Sequence, residues 1–239
     1  MILAQSCALT AGGAMWSSLA VPEAGVPAFT MSDGPLGIAS GKVDERDIAL
    51  LSPCSTLLGA TWDRELTRRI GALVGSEAVS RGVDAVLAPN LNLARSPLAG
   101  RAFEYFSEDP VLTGVLGAEW VSGLQSTGTG SIAKHLVCND SETARDEVDV
   151  RVDERTLREV YLLPFEYAAK AGCAGLMAAY NKVNGSWCSE QAHVLTQVVK
   201  QDWGFAGLVM SDWFGTHSSE GTINAGLDLE MPGPARFMG

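Results

Sequence analysis

The sequence predicts an α/β fold, with a (β/α)8-type TIM barrel as its architecture. Short apolar runs alternate with helix-length amphipathic segments, at spacings that suit βαβ crossovers and a parallel sheet. A polar residue stands at the end of most runs: Asp33, Asn90, Lys134-His135, Tyr180, Asp212 and Glu230. In a barrel such strand ends converge on one mouth, whereas in an open, doubly wound sheet they spread along an edge. No glycine-rich phosphate fingerprint follows the first strand, which disfavours a nucleotide-binding open sheet further. The expected organisation is one barrel domain over residues 1–239.

The first strand is expected at residues 27–31, ended by the turn-forming Ser32-Asp33-Gly34-Pro35. Residues 55–61 form a further short apolar run, counted among the strands. Asp63 can then cap a helix over residues 64–81, with Leu66, Ile70, Leu73, Val74 and Ala78 on one stripe. A strand at 84–88 is halted by Pro89-Asn90, and a long polar loop runs to Asp109. Loops of that length are more often functional than not. Pro110 opens the next helix, to about residue 124, and a strand at 130–137 carries Lys134-His135. A second polar loop leads to the clearest helix, 154–171, with Leu157, Val160, Leu163, Pro164, Tyr167 and Ala168 inward. Pro164 should kink it, and Gly172 closes it. A strand at 174–179, a helix at about 191–203 and the strand Gly207-Leu208-Val209-Met210-Ser211 follow. A helix at 217–224 and a short strand at 227–230 end the series. A last strand and the helix after Glu230 are not readable, so the barrel is expected to run short at its C-terminal end. That leaves room for a homo-oligomer or a second chain to cover the open side.

Composition narrows the function. A hydrophobic share of 46% over 239 residues supports a sizeable core, and 26 glycines with 19% charged residues match an α/β enzyme, not a disordered chain. The net charge of −11, without any Lys/Arg cluster, excludes nucleic acid as an expected partner. The five cysteines are scattered and lack a CxxC pair, so buried reduced thiols are expected, with no disulfide framework or zinc site. The apolar N-terminus lacks a basic region and is broken by Gly12-Gly13, which argues against a signal peptide. No run approaches a membrane span, and a cytoplasmic location is the expectation. The carboxylates are spread across strands among cations, which disfavours a metal cage. Neither a metal nor a cofactor is expected.

The stretch Gly207 to Trp213 reads as an apolar strand that stops at a carboxylate and an indole, a placement that suits a nucleophile or a base. A mouth holding Asp33, Arg101, Lys134, His135, Arg145, Tyr180, Asp212 and Trp213 combines charged hydrogen-bonding groups with a flat aromatic surface. Sugars need that mixture: ions grip hydroxyl groups, and an indole packs on the apolar face of the ring. Lys134 and Arg145 should also lower the pKa of Asp212 and keep it ionised. Arg101 has a structural alternative, as a fork on Glu104 or Glu108. Tyr180 and Met177 can equally be core residues, Glu230 either supports Lys134 or Arg145 or has no catalytic part, and His193 and His217 are expected at the surface.

Several segments together carry a resemblance. Ser32-Asp33-Gly34-Pro35, the run Gly100-Arg101-Ala102-Phe103-Glu104-Tyr105-Phe106-Ser107-Glu108-Asp109-Pro110, Lys134-His135 with Arg145, Met177 to Tyr180-Asn181 with Asn184-Gly185, and Met210-Ser211-Asp212-Trp213 are similar to the N-terminal barrel of family 3 glycoside hydrolases of the β-glucosidase type. The resemblance implies that Asp212 is the nucleophile. It also implies that Asp33, Arg101, Lys134, His135, Arg145 and Tyr180 bind the sugar, with Met177 lining the pocket and Trp213 as its stacking wall. The substrate would be a small-molecule or oligosaccharide β-glycoside ending in glucose or a similar sugar. Retaining hydrolysis needs a second carboxyl about 5–5.5 Å from the nucleophile as acid/base. In the family a domain after the barrel usually supplies it, and the Lys-His-x-Pro-Gly loop of the N-acetylglucosaminidase branch is replaced here by Lys134-His135-Leu136-Val137-Cys138. The acid/base is therefore expected from a partner or from an unusual residue such as Glu142 or Glu147. The alternative is a carbohydrate-binding barrel with little or no turnover.

Overall fold

The computed structural model describes residues 2–39 and 46–239. In chain order, a helix α1 (Leu3–Leu9) leads to a small hairpin of β1 (Gly12–Ala14) and β2 (Ser17–Ser18), and then to β3 (Met31–Asp33). Helices α2 (Ser55–Thr61) and α3 (Arg64–Ser80), strand β4 (Ala85–Leu87), helix α4 (Pro110–Gln125) and strand β5 (Gly130–Leu136) follow. After β6 (Asp149–Val150), α5 (Glu154–Thr156) passes through a π-helical stretch, Leu157–Tyr161, into α6 (Leu163–Lys170). The remainder is β7 (Gly175–Ala178), the hairpin β8 (Lys182–Val183) and β9 (Ser186–Trp187), a π-helix His193–Asp202, β10 (Leu208–Ser211) and α7 (Ser219–Ala225).

The central sheet runs β10-β7-β5-β4-β3, all parallel, and is TIM-barrel-like. Its register sets Asp33 opposite Leu87, and Met177 and Ala178 opposite Met210 and Ser211. The polar residues after the strands therefore share one rim. Met31, Leu87, Ile132, Met177, Met210 and Leu229 form a cluster inside the barrel, while Val74, Trp120, Leu124, Phe165 and Val198 belong to the cluster between sheet and helices. The alternation of Met210 inward with Val209 outward is the two-residue period of a strand covered on both faces.

The barrel is incomplete at its C-terminal end. The segment expected as the strand 227–230 makes only single bridges, Leu229 to Met210 and Glu230 to Ala11. The chain's own N-terminus spans the gap: β1 pairs with β2, and Ser17 bridges back to Thr30 beside β3. This hairpin lies in a glycine- and serine-rich stretch with no alternating hydrophobic signal, so its sequence does not announce strands.

Three expected elements differ from those observed. The first strand begins at Met31, so Asp33 lies within it and not after it. Residues 55–61 are helical, with Ser55, Leu58 and Gly59 buried at helical spacing. Asp63 does cap α3, accepting from the Leu66 N–H, but the buried stripe is Thr67, Gly71, Val74, Gly75 and Ala78, and Leu73 is 42% exposed. Glycine explains the shift. A Cβ on Gly71 would stand 2.3 Å from the Trp120 carbonyl oxygen of α4, and one on Gly123 would stand 1.9 Å from the Arg68 carbonyl oxygen. The two helices approach backbone to backbone through residues that carry no hydropathy signal.

Pro164 does interrupt its helix, through the π-helical stretch before it. The wider turn rotates the face by one residue, so Leu162 and Phe165 are buried where Val160, Leu163 and Tyr167 are only partly covered. Among the described residues, no helix is long and apolar enough to cross a membrane. All five cysteines are free; Cys138, Cys173 and Cys188 are buried, whereas Cys7 and Cys54 are partly exposed.

Candidate active site

The C-terminal rim of the sheet surrounds a cavity of about 350 Å³, lined by Asp33, Arg101, Lys134, His135, Arg145, Met177, Tyr180, Asp212 and Trp213, with Trp16, Leu87 and Glu104. The expected sugar-binding residues are thus brought to one chamber, within the range of small-ligand sites, whereas the strand-end residues Asn90 and Glu230 do not line it.

Asp212 follows β10 directly, and its backbone N–H reaches the Ala178 carbonyl at 3.2 Å. Its Oδ1 accepts from the Trp213 N–H at 2.7 Å. Its Oδ2 is buried, makes no hydrogen bond of full geometry among the described residues and lies 3.5 Å from His135 Nε2, while the Tyr180 hydroxyl is close enough to act on the carboxylate as a donor. Burial pushes the Asp212 carboxyl above its ordinary value, against the pull of Lys134, the Trp213 N–H, Tyr180 and Arg101. The expected net lowering by Lys134 and Arg145 is therefore overturned. Lys134 does pull in that direction, but desolvation of a side chain only 10% exposed outweighs it.

Lys134 is almost wholly covered and pairs through Nζ with Asp33 Oδ1 at 3.1 Å, two strands away. Asp33 keeps 51% of its side chain exposed toward the opening. Arg101 precedes the turn Ala102–Glu104, which brings Glu104 back within reach. The guanidinium forks onto that carboxylate, Nε to Oε1 at 3.2 Å and Nη2 to Oε2 at 2.8 Å, and its remaining Nη1 meets His135 Nε2 at 2.9 Å. Arg101 is thus both the structural fork and a cavity wall. Burial first, then Arg101, Lys134 and Arg145, hold the His135 imidazole well below its usual pKa. Arg145 is bound to Glu142 at 2.6 Å and lies over the Tyr180 ring at 4.4 Å. Burial and then the Asp212 charge push the Tyr180 phenol up. Met177 is buried on the cavity floor beside Met210.

Trp213 stands against Trp16, ring centres 5.2 Å apart at 39°, and its Nε1 donates to the Met15 carbonyl at 2.9 Å. Sequence reasoning missed Trp16, since it sits in the turn of the unannounced N-terminal hairpin. Asn90, expected at the mouth, instead supports the site from within the core, and Asn92 was missed, because buried amide networks leave no periodic trace. Glu230 supports neither Lys134 nor Arg145: its carboxylate accepts the N–H groups of Arg236, Phe237 and Met238 at 2.9, 2.9 and 2.6 Å. Glu142 is paired with Arg145, and Glu147 is exposed; neither lines the cavity. His193 is partly exposed and pairs with Glu154. His217 is not simply a surface residue. It stacks on Trp187 at 3.8 Å and 9°, and lines an outer cavity of about 290 Å³ that shares Arg145, Tyr180 and Trp213 with the inner one. Among the described residues, no group of three or more His, Cys, Asp or Glu side chains is placed to hold a metal ion.

Behind the cavity, Asp140 is buried and its Oδ1 accepts from the Leu93 N–H at 2.5 Å, tying the loops after β4 and β5 together. Burial pushes its pKa up to about 6, against the pull of that N–H and of Arg95. A carboxyl raised in the folded state favours folding when protonated. Its contribution is present below the unfolded value of about 3.8 and is lost as pH rises through about 6. Asp140→Asn is therefore expected to flatten the fall in melting temperature between about pH 4 and pH 6, measured by calorimetry across that range.

Residues 20–237 match the family described as "Glycosyl hydrolase family 3 N terminal domain". "Probable beta-glucosidase I" of Neosartorya fischeri is 48% identical over 242 residues, covering 100% of this chain and 29% of that protein. "Beta-glucosidase" of Rhizobium radiobacter is 47% identical over 241 residues, covering 100% of this chain and 30% of that protein. Among solved structures, β-glucosidase from Kluyveromyces marxianus in complex with glucose superposes with a TM-score of 0.95 at 39% identity, over 99% of this chain and 29% of that one. β-Glucosidase 3B from Thermotoga neapolitana in complex with glucose gives 0.92 at 39% identity, over 98% and 36%. The chain therefore spans under a third of the length of the curated relatives named above.

Proposed function

The chain belongs to the family 3 glycosyl hydrolases, through their N-terminal domain, and from that premise we propose that residues 1–239 form the sugar-binding barrel of a retaining glycoside hydrolase. Its substrate is a β-glycoside ending in glucose or a similar sugar. The observation that carries this is Asp212: a buried carboxylate at the end of a barrel strand, on the edge of a cavity walled by cations, a phenol and an indole.

In this reading Asp212 Oδ2 attacks the anomeric carbon as the bond to the aglycone breaks, and a glycosyl ester forms on the carboxylate. Water then cleaves the ester and restores Asp212. Asp33, Arg101, Lys134, His135, Arg145 and Tyr180 hold the sugar hydroxyl groups, Met177 shapes the floor and Trp213 packs on the ring. The two solved relatives in complex with glucose support a glucose-sized occupant. The other carboxyls lining the cavity, Asp33 and Glu104, are ion-paired to Lys134 and Arg101. The proton for an unactivated leaving group therefore comes from a partner domain or a second chain. Without it, departure of such a group slows by roughly 10²–10⁴-fold.

That same shortage of a free acid favours a second reading, a barrel that binds sugar with little or no turnover. One experiment separates them. A 2-deoxy-2-fluoro-β-glucoside with a dinitrophenyl leaving group needs no protonation, and it should leave a stable adduct on the Asp212 peptide, read by mass spectrometry. An adduct on another carboxyl would overturn the assignment of Asp212. Glucose binding with no adduct at all would favour the binding barrel.

A further inference from the structure

We infer that Asn92 is a positioning residue which fixes His135 as a neutral imidazole with its proton on Nδ1, and that this tautomer keeps His135 from donating to Asp212 Oδ2. The argument starts from a buried amide. Asn92 lies in the loop after β4 and pairs with the backbone of His135: Nδ2 donates to the His135 carbonyl at 2.9 Å, and Oδ1 accepts from the His135 N–H at 3.0 Å. This double contact decides which end of the amide is oxygen. The same Oδ1 lies 3.2 Å from His135 Nδ1. An amide oxygen only accepts, so Nδ1 carries the hydrogen.

The far side of the ring gives the complementary answer. Arg101 Nη1 stands 2.9 Å from His135 Nε2, and a guanidinium only donates, so Nε2 presents its lone pair. One tautomer satisfies both contacts. An imidazolium would turn an N–H toward Arg101, and a proton on Nε2 alone would set two lone pairs, on Nδ1 and on Asn92 Oδ1, against each other. The charged groups around the ring are Arg101, Lys134 and Arg145, all cationic, and Asp212.

The consequence falls on Asp212. With Nε2 unprotonated, its 3.5 Å approach to Oδ2 is not a hydrogen bond, and the carboxylate keeps only the Trp213 N–H and the Tyr180 hydroxyl as donors among the described residues. A proton on Nε2 would point at the attacking oxygen and blunt it. Asn90 joins the two sides of the device. Its Oδ1 accepts from the Asn92 N–H at 3.0 Å, while its Nδ2 donates to Glu104 Oε2 at 2.9 Å, the carboxylate that grips Arg101. The tautomer stands on this geometry alone; its catalytic consequence rests on Asp212 as the nucleophile.

The test is nitrogen NMR on the 239-residue chain, labelled with ¹⁵N-histidine and free of ligand. Of the three histidines, His193→Gln with His217→Gln leaves His135 as the sole signal. The expected spectrum has a protonated, pyrrole-type Nδ1 and an unprotonated, pyridine-type Nε2, unchanged from about pH 5 to pH 8. A protonated Nε2 anywhere in that window overturns the inference, whether or not any variant folds. Asn92→Asp sets a carboxylate against Nδ1, so the His135 signal should move toward imidazolium within the same window. Its rate of labelling by the fluoro-glucoside should fall by about 10–100-fold, the loss typical when a partner that orients a functional histidine is removed. An altered His135 signal with an unchanged labelling rate would overturn the catalytic half. A wild-type chain that takes no label would count against the proposed function, while its spectrum still decides the tautomer.

Discussion

Asp212→Asn is expected to lower hydrolysis of an aryl β-glucoside by about 10⁴–10⁶-fold, the scale seen when a nucleophile is removed from an assembled site, and at the same time to raise the melting temperature. The first effect follows from the proposed chemistry: an amide does not form the glycosyl ester. The second follows from burial. The wild-type carboxyl lies above its ordinary pKa in the fold, so its stabilising contribution exists at low pH and is lost as pH rises through the raised value. At neutral pH the fold therefore carries a desolvated charge that asparagine does not have. Asparagine also keeps an oxygen for the Trp213 N–H, and its Nδ2 would face the His135 Nε2 lone pair. A gain of about 1–3 kcal/mol is expected, or roughly 2–4 °C for each kcal/mol in a chain of this size. Turnover assays paired with melting curves at neutral and acid pH check both effects, and the stability difference should shrink toward low pH. A variant with near wild-type turnover would remove Asp212 from its role. One that melts lower would remove the desolvation argument.

Glu230→Ala should show the largest loss of stability. The Glu230 carboxylate is buried and satisfies three consecutive backbone N–H groups, of Arg236, Phe237 and Met238. The same residue's backbone ties the barrel seam, accepting from the Gly12 N–H and donating to the Thr10 carbonyl, both at 2.9 Å. Removing the side chain strands one buried and two part-buried donors, each worth up to about 1–3 kcal/mol when unmade, and the expected total is about 3–5 kcal/mol. The melting temperature should fall on the order of 10 °C. Glu230→Gln keeps one acceptor oxygen and should lose less. Equal losses in the two variants would show that the three N–H contacts are not the source. The seam also carries the hairpin that holds Met15 and Trp16 against Trp213, so the alanine variant should bind sugar more weakly. Titration with glucose below the melting range measures that.

Much of the sheet was legible because its strands are covered on both faces. The segments around β4, β7 and β10 are short apolar runs, and the residues at or after the ends of β5, β7 and β10, Lys134-His135, Tyr180 and Asp212, line the cavity, whereas Asn90 after β4 is wholly buried. The same logic fails where an element is held by backbone contact alone. The N-terminal hairpin and the bridges at Leu229 and Glu230 close the ring with a few hydrogen bonds, and such pairings need no apolar alternation. Gly71, Gly75 and Gly123 are core positions by close approach of two helices, a property that no hydrophobicity pattern records. His217 is exposed, as expected, but its stacking on Trp187 was not legible: the two lie far apart in sequence, and only the fold brings the rings together.

The sequence alone determined the polar residues at or near most strand ends, and with them the barrel class and most of the mouth; Trp16 joined it only in the fold. Strand periodicity is local chemistry, and a few residues of context suffice to reveal it. Only the tertiary structure decided how those side chains divide their work. It forked Arg101 onto Glu104, gave Glu230 to the C-terminal backbone, and set Asp212 Oδ2 in a buried position beside His135. It also reversed the expected direction for the Asp212 carboxyl, because desolvation depends on everything packed around a group, whereas the sequence shows only which charges belong to the chain.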